Sequence, residues 1–288
     1  MKVEQIESVD EFIAATTGFR AADPLRTNVI GSVSFAVAEG DRTYDDYHWW
    51  IVRNGDGGVV GIAMRTNPFN LYLSSMPPEA SRVLGRTVGH LDDALPGLTG
   101  PRGLIDAFRE GYAASKSPGS TRVLVEQRRD LLYELEELVE PDVEGYGRPA
   151  RREETGELAR MLVQFSDEAA VQALSLAEAH DATERKLRDG SLFCWDLEGA
   201  IVAMAGHAPI VTTGSVVLGR VGPVYTPPSY RRRGYGSAVT AHVTRHLMEQ
   251  GARVMLFTDA SNPTSNAIYQ EIGYRLVDEL VEMRFAER

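Results

Sequence analysis

Between Val216 and Met248 the chain changes character three times. The apolar run from Val216 to Val224 has the length and β-branched content of a buried strand, and Pro227-Pro228 ends it. Arg231-Arg232-Arg233-Gly234-Tyr235-Gly236 follows, and from Ser237 to Met248 apolar residues recur at helical spacing. Strand, basic glycine-containing turn and helix in that order make an anion site. Unpaired backbone N–H groups converge at the helix start, where the helix dipole is positive. Glycine lets a phosphate approach the backbone, and arginine adds forked donors of fixed charge. No Gly-Lys-Ser/Thr follows the glycines, so this is no nucleotide P-loop, and the three glycines and ribose-binding acid of a dinucleotide fingerprint are missing. Taken alone, the same residues also describe an ordinary helix start with solvated arginines.

The segment downstream narrows the choice. Gly251 closes the helix, Arg253–Thr258 reads as a second buried strand, and Asn262–Ser265 reads as a turn and cap for a short helix ending at Gly273. The ordered pair, Arg231-x-x-Gly234-x-Gly236 and then Asn262…Asn266-Ala267-x-Tyr269-x-x-x-Gly273-Tyr274, resembles the GNAT superfamily of acetyl-CoA-dependent N-acetyltransferases. The strong part of the resemblance covers Ser215 to Arg288, and a less specific part begins near Gly147.

That resemblance implies roles for particular residues. Val224, Tyr225 and Thr226, at the strand end, would lie beside the pantetheine arm. Arg231, Arg232, Arg233, Gly234, Tyr235 and Gly236 would meet the pyrophosphate, with Ser237 at the helix start. Asn262 and Asn266 would belong to the second cofactor segment, and Tyr269 would protonate the departing thiolate. Each has a plainer alternative: Thr226 and Asn262 as caps, Tyr269 as a packed aromatic.

The general base is where the pattern breaks. Many members of the superfamily use a glutamate on or beside the central strand, whereas Ser215–Thr226 carries only Arg220 as a charged residue. Asp196, Glu198 and His207 on the preceding expected strands, Asp259 after the next, and water remain open for that role. Cys194, the only cysteine, sits in an apolar run that reads as core. Direct attack by an amine needs no enzyme nucleophile.

Composition bounds the rest. With 288 residues the chain is long enough for two domains. One cysteine excludes a disulfide framework, and no Cys/His cluster suggests a metal. No signal-peptide pattern or membrane-length apolar run is present, so a cytoplasmic location is expected. The net charge of −11 argues against nucleic acid and favours cationic substrates.

The pattern of elements reads as a mixed α/β fold: two GNAT-like domains in tandem, each a mostly antiparallel sheet flanked by helices. Residues 1–139 form a degenerate copy without the CoA signature, 140–149 a polar linker, and 150–288 the catalytic copy. In the first copy Trp49–Arg53 and Val59–Thr66 read as a hairpin, Phe69–Ser75 as a third strand, and Met76–Arg86 as the opening of a helix. Setting Pro77-Pro78 on Pro227-Pro228 puts Ser81, Leu84 and Arg86 where Arg231, Gly234 and Gly236 stand. Tyr44, Tyr47, Trp49 and Trp50 read as core, or as one wall of an acceptor pocket. The layout, one active and one decayed copy, is similar to tandem bacterial members such as the mycothiol synthases, from which no substrate follows. The expected function is transfer of an acetyl group from acetyl-CoA to a primary amine of a small molecule or peptide, with no metal and with the oligomeric state open. A CoA-binding regulatory or scaffold protein is the alternative, and thioester hydrolysis a third.

Overall fold

The computed structural model describes residues 1–91, 95–115, 122–169 and 173–287. They form two compact units. The first comprises Met1–Leu131, Val211–Val216 and Asp278–Arg288, and the second comprises Leu132–Ile210 and Val217–Val277.

In the first unit, β1 (Lys2–Ile6), β2 (Tyr47–Arg53), β3 (Val59–Thr66), β4 (Leu71–Leu73) and β5 (Gly97–Gly100) follow one another across a sheet. The last part of β13 (Tyr274–Glu287) pairs antiparallel with β5, Val281 opposite Gly100. Alternation along β2 and β3 sends side chains to two cores. Trp49, Ile51, Ile62 and Met64 pack with Phe12 of α1 (Val9–Ala22) and Ile30 of α2 (Asn28–Ala38). Trp50, Val52 and Ala63 pack on the other face with Leu84 of α3 (Pro78–Leu91) and Phe108 of α4 (Arg102–Ala114). Trp49 and Trp50 are therefore core residues of this unit. The hairpin closes where the Asn54 side chain accepts the Gly58 amide at 2.8 Å.

Helix α3 begins at Pro78, the second of the two prolines, with four residues between it and the end of β4 at Leu73. Ser81 and Leu84 are thus buried inside a helix, and the Ser81 hydroxyl donates to the Leu104 carbonyl at 2.7 Å. This corrects the comparison of the two copies. Where bulky residues were expected to stand in place of glycines in a phosphate turn, this unit has no such turn.

The second unit opens with the end of β6 (Arg122–Leu135) and with β7 (Tyr146–Pro149), α5 (Thr155–Glu168), α6 (Leu176–Arg188), β8 (Leu192–Leu197) and β9 (Ala200–His207). After β10 (Val211–Thr213) of the first unit come β11 (Val216–Tyr225), α7 (Tyr235–Glu249), β12 (Arg253–Asp259), α8 (Pro263–Glu271) and the start of β13. Strands run in the order β12, β11, β9, β8, β7, antiparallel except for the β11–β12 pair. Leu158, Leu162, Ala179, Cys194, Met204 and Tyr225 form the core under α5 and α6, and α7 covers the opposite face through contacts such as Phe193 with His242 and His246. The end of the polar segment 140–149 is β7 itself, paired with β8 from Tyr146–Asp196 to Pro149–Phe193. Among the described residues no helix is long and apolar enough to cross a membrane.

A buried ion network fixes this sheet edge. Arg148 on β7 donates to Asp196 Oδ2 at 2.9 Å and to both Glu154 oxygens at 3.0 and 2.6 Å, while Asp196 Oδ1 accepts the Gly199 amide at 2.8 Å. The guanidinium holds the Asp196 carboxyl below the usual carboxylate range. Arg148→Met would leave two carboxylates without their cation in a buried place, and urea denaturation should show a loss of about 3 kcal/mol. A carboxyl whose folded pKa is depressed adds stability above its unfolded pKa and loses it as pH falls through the folded value. Asp196→Asn should therefore flatten the stability profile below about pH 4, where wild type declines.

Candidate active site

The site grows from a break in strand pairing. Strands β11 and β12 are in parallel register from Leu218–Arg253 to Val221–Leu256. Beyond Val221 that pairing stops, although β11 runs on to Tyr225 along β9, with Val224 opposite Ala205 and Tyr225 opposite Met204. The register on β9 shifts between Val221 and Val224, where Gly222 has φ +142° and Pro223 has no N–H to give. The result is a gap between the ends of β11 and β12.

From β11 the chain passes through a short 3-10 turn at Pro228–Tyr230 into the basic turn. Arg232 and Gly234 both take left-handed backbone, φ +62° and +80°. That curls the main chain ahead of α7, whose first intrahelical bond runs from the Ala238 amide to the Gly234 carbonyl at 2.9 Å. Gly234 is the N-cap residue and brings no side-chain cap, so the amides of Tyr235, Gly236 and Ser237 face outward from an uncapped helix of 15 residues. Tyr235 and Ser237 side chains are buried and anchor this first turn.

The three arginines divide the labour unequally. Arg232 and Arg233 are exposed and make no hydrogen bond or ion pair among the described residues. Arg231 is committed elsewhere. Its Nη2 donates to both oxygens of Glu168 at 2.8 and 2.6 Å, its Nε donates to the Thr226 carbonyl at 2.9 Å, and its guanidinium lies 5.6 Å from the Tyr225 ring centre. The Tyr225 hydroxyl donates to the same Glu168 at 3.1 Å, and burial together with that carboxylate raises its pKa. Glu168 is the residue that sequence reasoning missed. It ends α5, 63 residues from Arg231, and nothing in its neighbourhood along the chain marks it.

The glycines of the turn also change roles. A side chain would strain the backbone at Gly234, which alone of the two has positive φ and whose added Cβ would lie 2.8 Å from Val143 Cγ2. At Gly236 a Cβ would meet only Thr226 Oγ1, at 3.1 Å.

On the other flank of the gap, Asn262 caps α8 by accepting the Ser265 amide at 3.0 Å. Asn266 Nδ2 donates to the carbonyls of Asp259 and Ala260 at 3.2 and 3.4 Å, which ties the strand end to the helix, while its Oδ1 is buried without a partner. The Tyr269 ring is buried beside Tyr274 with 6.3 Å between centroids, and its hydroxyl makes no hydrogen bond among the described residues. Desolvation pushes that phenol up to about 12. Gly273 has φ +102°, and a Cβ there would stand 1.8 Å from the Glu137 carbonyl, so only glycine fits after this helix.

The candidate bases separate by position. Asp196 is consumed by Arg148 and Gly199, and Glu198 stands at the exposed β8–β9 turn with φ +52°. His207 packs against His246, eleven residues into α7 from Tyr235 and so about 16 Å along the helix from the turn. Burial lowers its pKa, its Nδ1 is 2.8 Å from the Ala208 carbonyl, and its Nε2 is sealed without a partner. Asp259 ends β12 at the gap, with Oδ1 accepting the Ser261 amide at 2.7 Å. The Cys194 thiol is buried and pushed up to about 12, which leaves it inert. His180, Asp181 and Glu184, on α6, bring possible ligand atoms within 4.8 Å of one another; no other such group occurs among the described residues.

Residues 210–283 match the family model described as FR47-like protein. A mycothiol acetyltransferase of Kocuria rhizophila is 24% identical over 276 residues, covering 82% of this chain and 88% of that protein. One from Saccharomonospora viridis is 27% identical over 92 residues, 32% of this chain, so the match spans only 29% of that relative's length. A GNAT-family acetyltransferase of Colwellia psychrerythraea superposes with a TM-score of 0.65 at 14% identity, over 99% of this chain and 100% of that one. A tandem GNAT protein from the clavulanic acid biosynthesis pathway superposes with a TM-score of 0.58 at 14% identity, over 99% and 98%. The chain thus has the tandem GNAT fold and is similar in sequence to acetyltransferases of that type.

Proposed function

We propose that the protein transfers an acetyl group from acetyl-CoA to a primary amine, and that the second unit carries the reaction. The observation that supports this most is the gap beyond Val221, which opens beside an uncapped helix start preceded by two unpaired arginines. An extended amide chain such as pantetheine satisfies the free edge of β11 as an added strand would. The pyrophosphate would then fall on the amides of Tyr235, Gly236 and Ser237, with Arg232 and Arg233 as the mobile cations. The acceptor nitrogen gives up a proton, adds to the thioester carbon near Val224, and the C–S bond breaks as the amide forms. Asp259 or a water it holds would take the proton, since of the four acids and bases weighed only Asp259 ends a strand at the gap.

Tyr269 fits the leaving group as a hydrogen-bond donor. With its pKa near 12, complete transfer to a thiolate in water is uphill by roughly 5 kcal/mol, so protonating the departing thiolate needs a sulfur that is desolvated too.

The deciding experiment measures free thiol released from acetyl-CoA against primary amines, aminoglycosides, amino acids and peptides. Turnover with an amine supports the proposal, binding without turnover makes the protein a CoA-binding module, and release without amine makes it a hydrolase. Tyr269→Phe should keep CoA affinity and lower turnover by on the order of 10². Near-wild-type turnover would reduce Tyr269 to packing.

Calorimetric titration with CoA should give one site per chain, because the first unit lacks the turn. Gly236→Val, whose φ needs no left-handed backbone, should melt close to wild type while losing at least tenfold in affinity. Gly234→Val should lose affinity and also about 1–2 kcal/mol of stability. Full affinity in Gly236→Val would place the pyrophosphate elsewhere.

A further inference from the structure

Glu168 is held as no ordinary surface acid is held. Three donor contacts converge on it: Arg231 grips both oxygens through one nitrogen, and the Tyr225 hydroxyl adds a third at Oε1. The carboxylate side chain is nevertheless 47% exposed, and Oε2 has only one recorded donor, so it keeps capacity to accept another. Tyr225 is the last residue of β11, one position from Val224, and Arg231 opens the turn that leads to α7. Glu168 thus lies where the strand end and the basic turn meet.

Arg231 has two claims on it. It belongs to the turn on which a pyrophosphate would rest, and its side chain is 40% exposed, so solvent and ligand can reach the guanidinium. A doubly charged diphosphate offers the guanidinium more than a single carboxylate does. We propose that Glu168 and the pyrophosphate compete for the Arg231 guanidinium, so that cofactor binding frees the Glu168 carboxylate to hold the acceptor's ammonium group. This rests on the reading that the turn holds acetyl-CoA. It assigns Glu168 as a positioning and specificity residue: the acceptor class is a protonated primary amine, and the cofactor binds first because a carboxylate neutralised by arginine attracts no second cation. The ammonium keeps its proton at this seat and must release it before attack, so Glu168 raises the local concentration of amine without taking part in bond making.

The test uses the full chain with CoA and with the panel amine of highest turnover. Removing the competitor should tighten CoA: Glu168→Gln should bind it about two- to fivefold better, the range a half-exposed ion pair allows. The same variant should raise the KM of the amine at least tenfold while kcat stays within about threefold, and Glu168→Asp should recover part of that KM. Thermal melts of both variants confirm that they are folded. Weaker CoA binding in Glu168→Gln would make the pair a strut that shapes the turn and would overturn the exchange. An unchanged amine KM would overturn the seat. If wild type itself binds no CoA, the cofactor reading falls and this inference with it, whereas unchanged constants in a CoA-binding wild type and variant remove this inference alone.

Discussion

Everything at the candidate site depends on two parallel strands that part early. A parallel ladder continues only while both backbones can supply a donor and an acceptor at each step. On β11 that supply fails just after Val221, where Gly222 takes φ +142° and Pro223 has no amide hydrogen. The strand does not end there. It re-registers on β9 and keeps Val224 and Tyr225 paired on that side alone. Strand-edge groups inside a domain need partners, and a ligand of amide character is one way to supply them. The opening also sets direction, since chain leaving the end of β11 must cross the mouth of the gap before α7 can pack back across the sheet.

The crossing is made by a turn whose shape comes from its own backbone. Left-handed backbone at Arg232 and Gly234 aims the first amides of α7 outward, and Val143 closes in behind Gly234. On the strand side, Arg231 reaches back to the Thr226 carbonyl and to Glu168. A non-glycine residue in left-handed backbone costs on the order of 1 kcal/mol, and a basic side chain at Arg232 gains nothing locally from that conformation. Left-handed backbone at Arg232 thus goes with the outward aim of the α7 amides. The arginine that most resembles a phosphate ligand in the sequence is the one engaged with protein, and its two neighbours are the unpaired ones.

What the chain discloses before folding is local periodicity and punctuation. Strand Val59–Thr66 was legible to the residue. Asn262 was legible as a cap: a short polar side chain before Pro263 has one obvious donor to meet. Glu168 was not legible, because its importance lies in partners 57 and 63 residues away and its own helix gives it an ordinary exposed place. His207 misled in the opposite sense. A histidine on a strand beside the central one looks available, but alternation turns its ring to the α7 face, far from the turn. The pairing of β7 was hidden in a segment whose two prolines and two glycines read as a linker, although Pro149 ends the strand without interrupting it.

The first unit carries a packed helix where the second carries its basic turn. Its α3 starts at Pro78, and Ser81 and Leu84 go into the core instead of into a turn. Gly85 lies so close to α4 that a Cβ there would stand 2.1 Å from the Phe108 carbonyl, so the two helices close against one another over this face. The unit is also not contiguous in sequence. Val281, opposite Gly100 on β5, belongs to its core cluster, and that residue is supplied by the end of the chain. A fragment limited to the first 139 residues would lack the strand that completes this core and would leave Leu98 and its neighbours beside an open sheet edge.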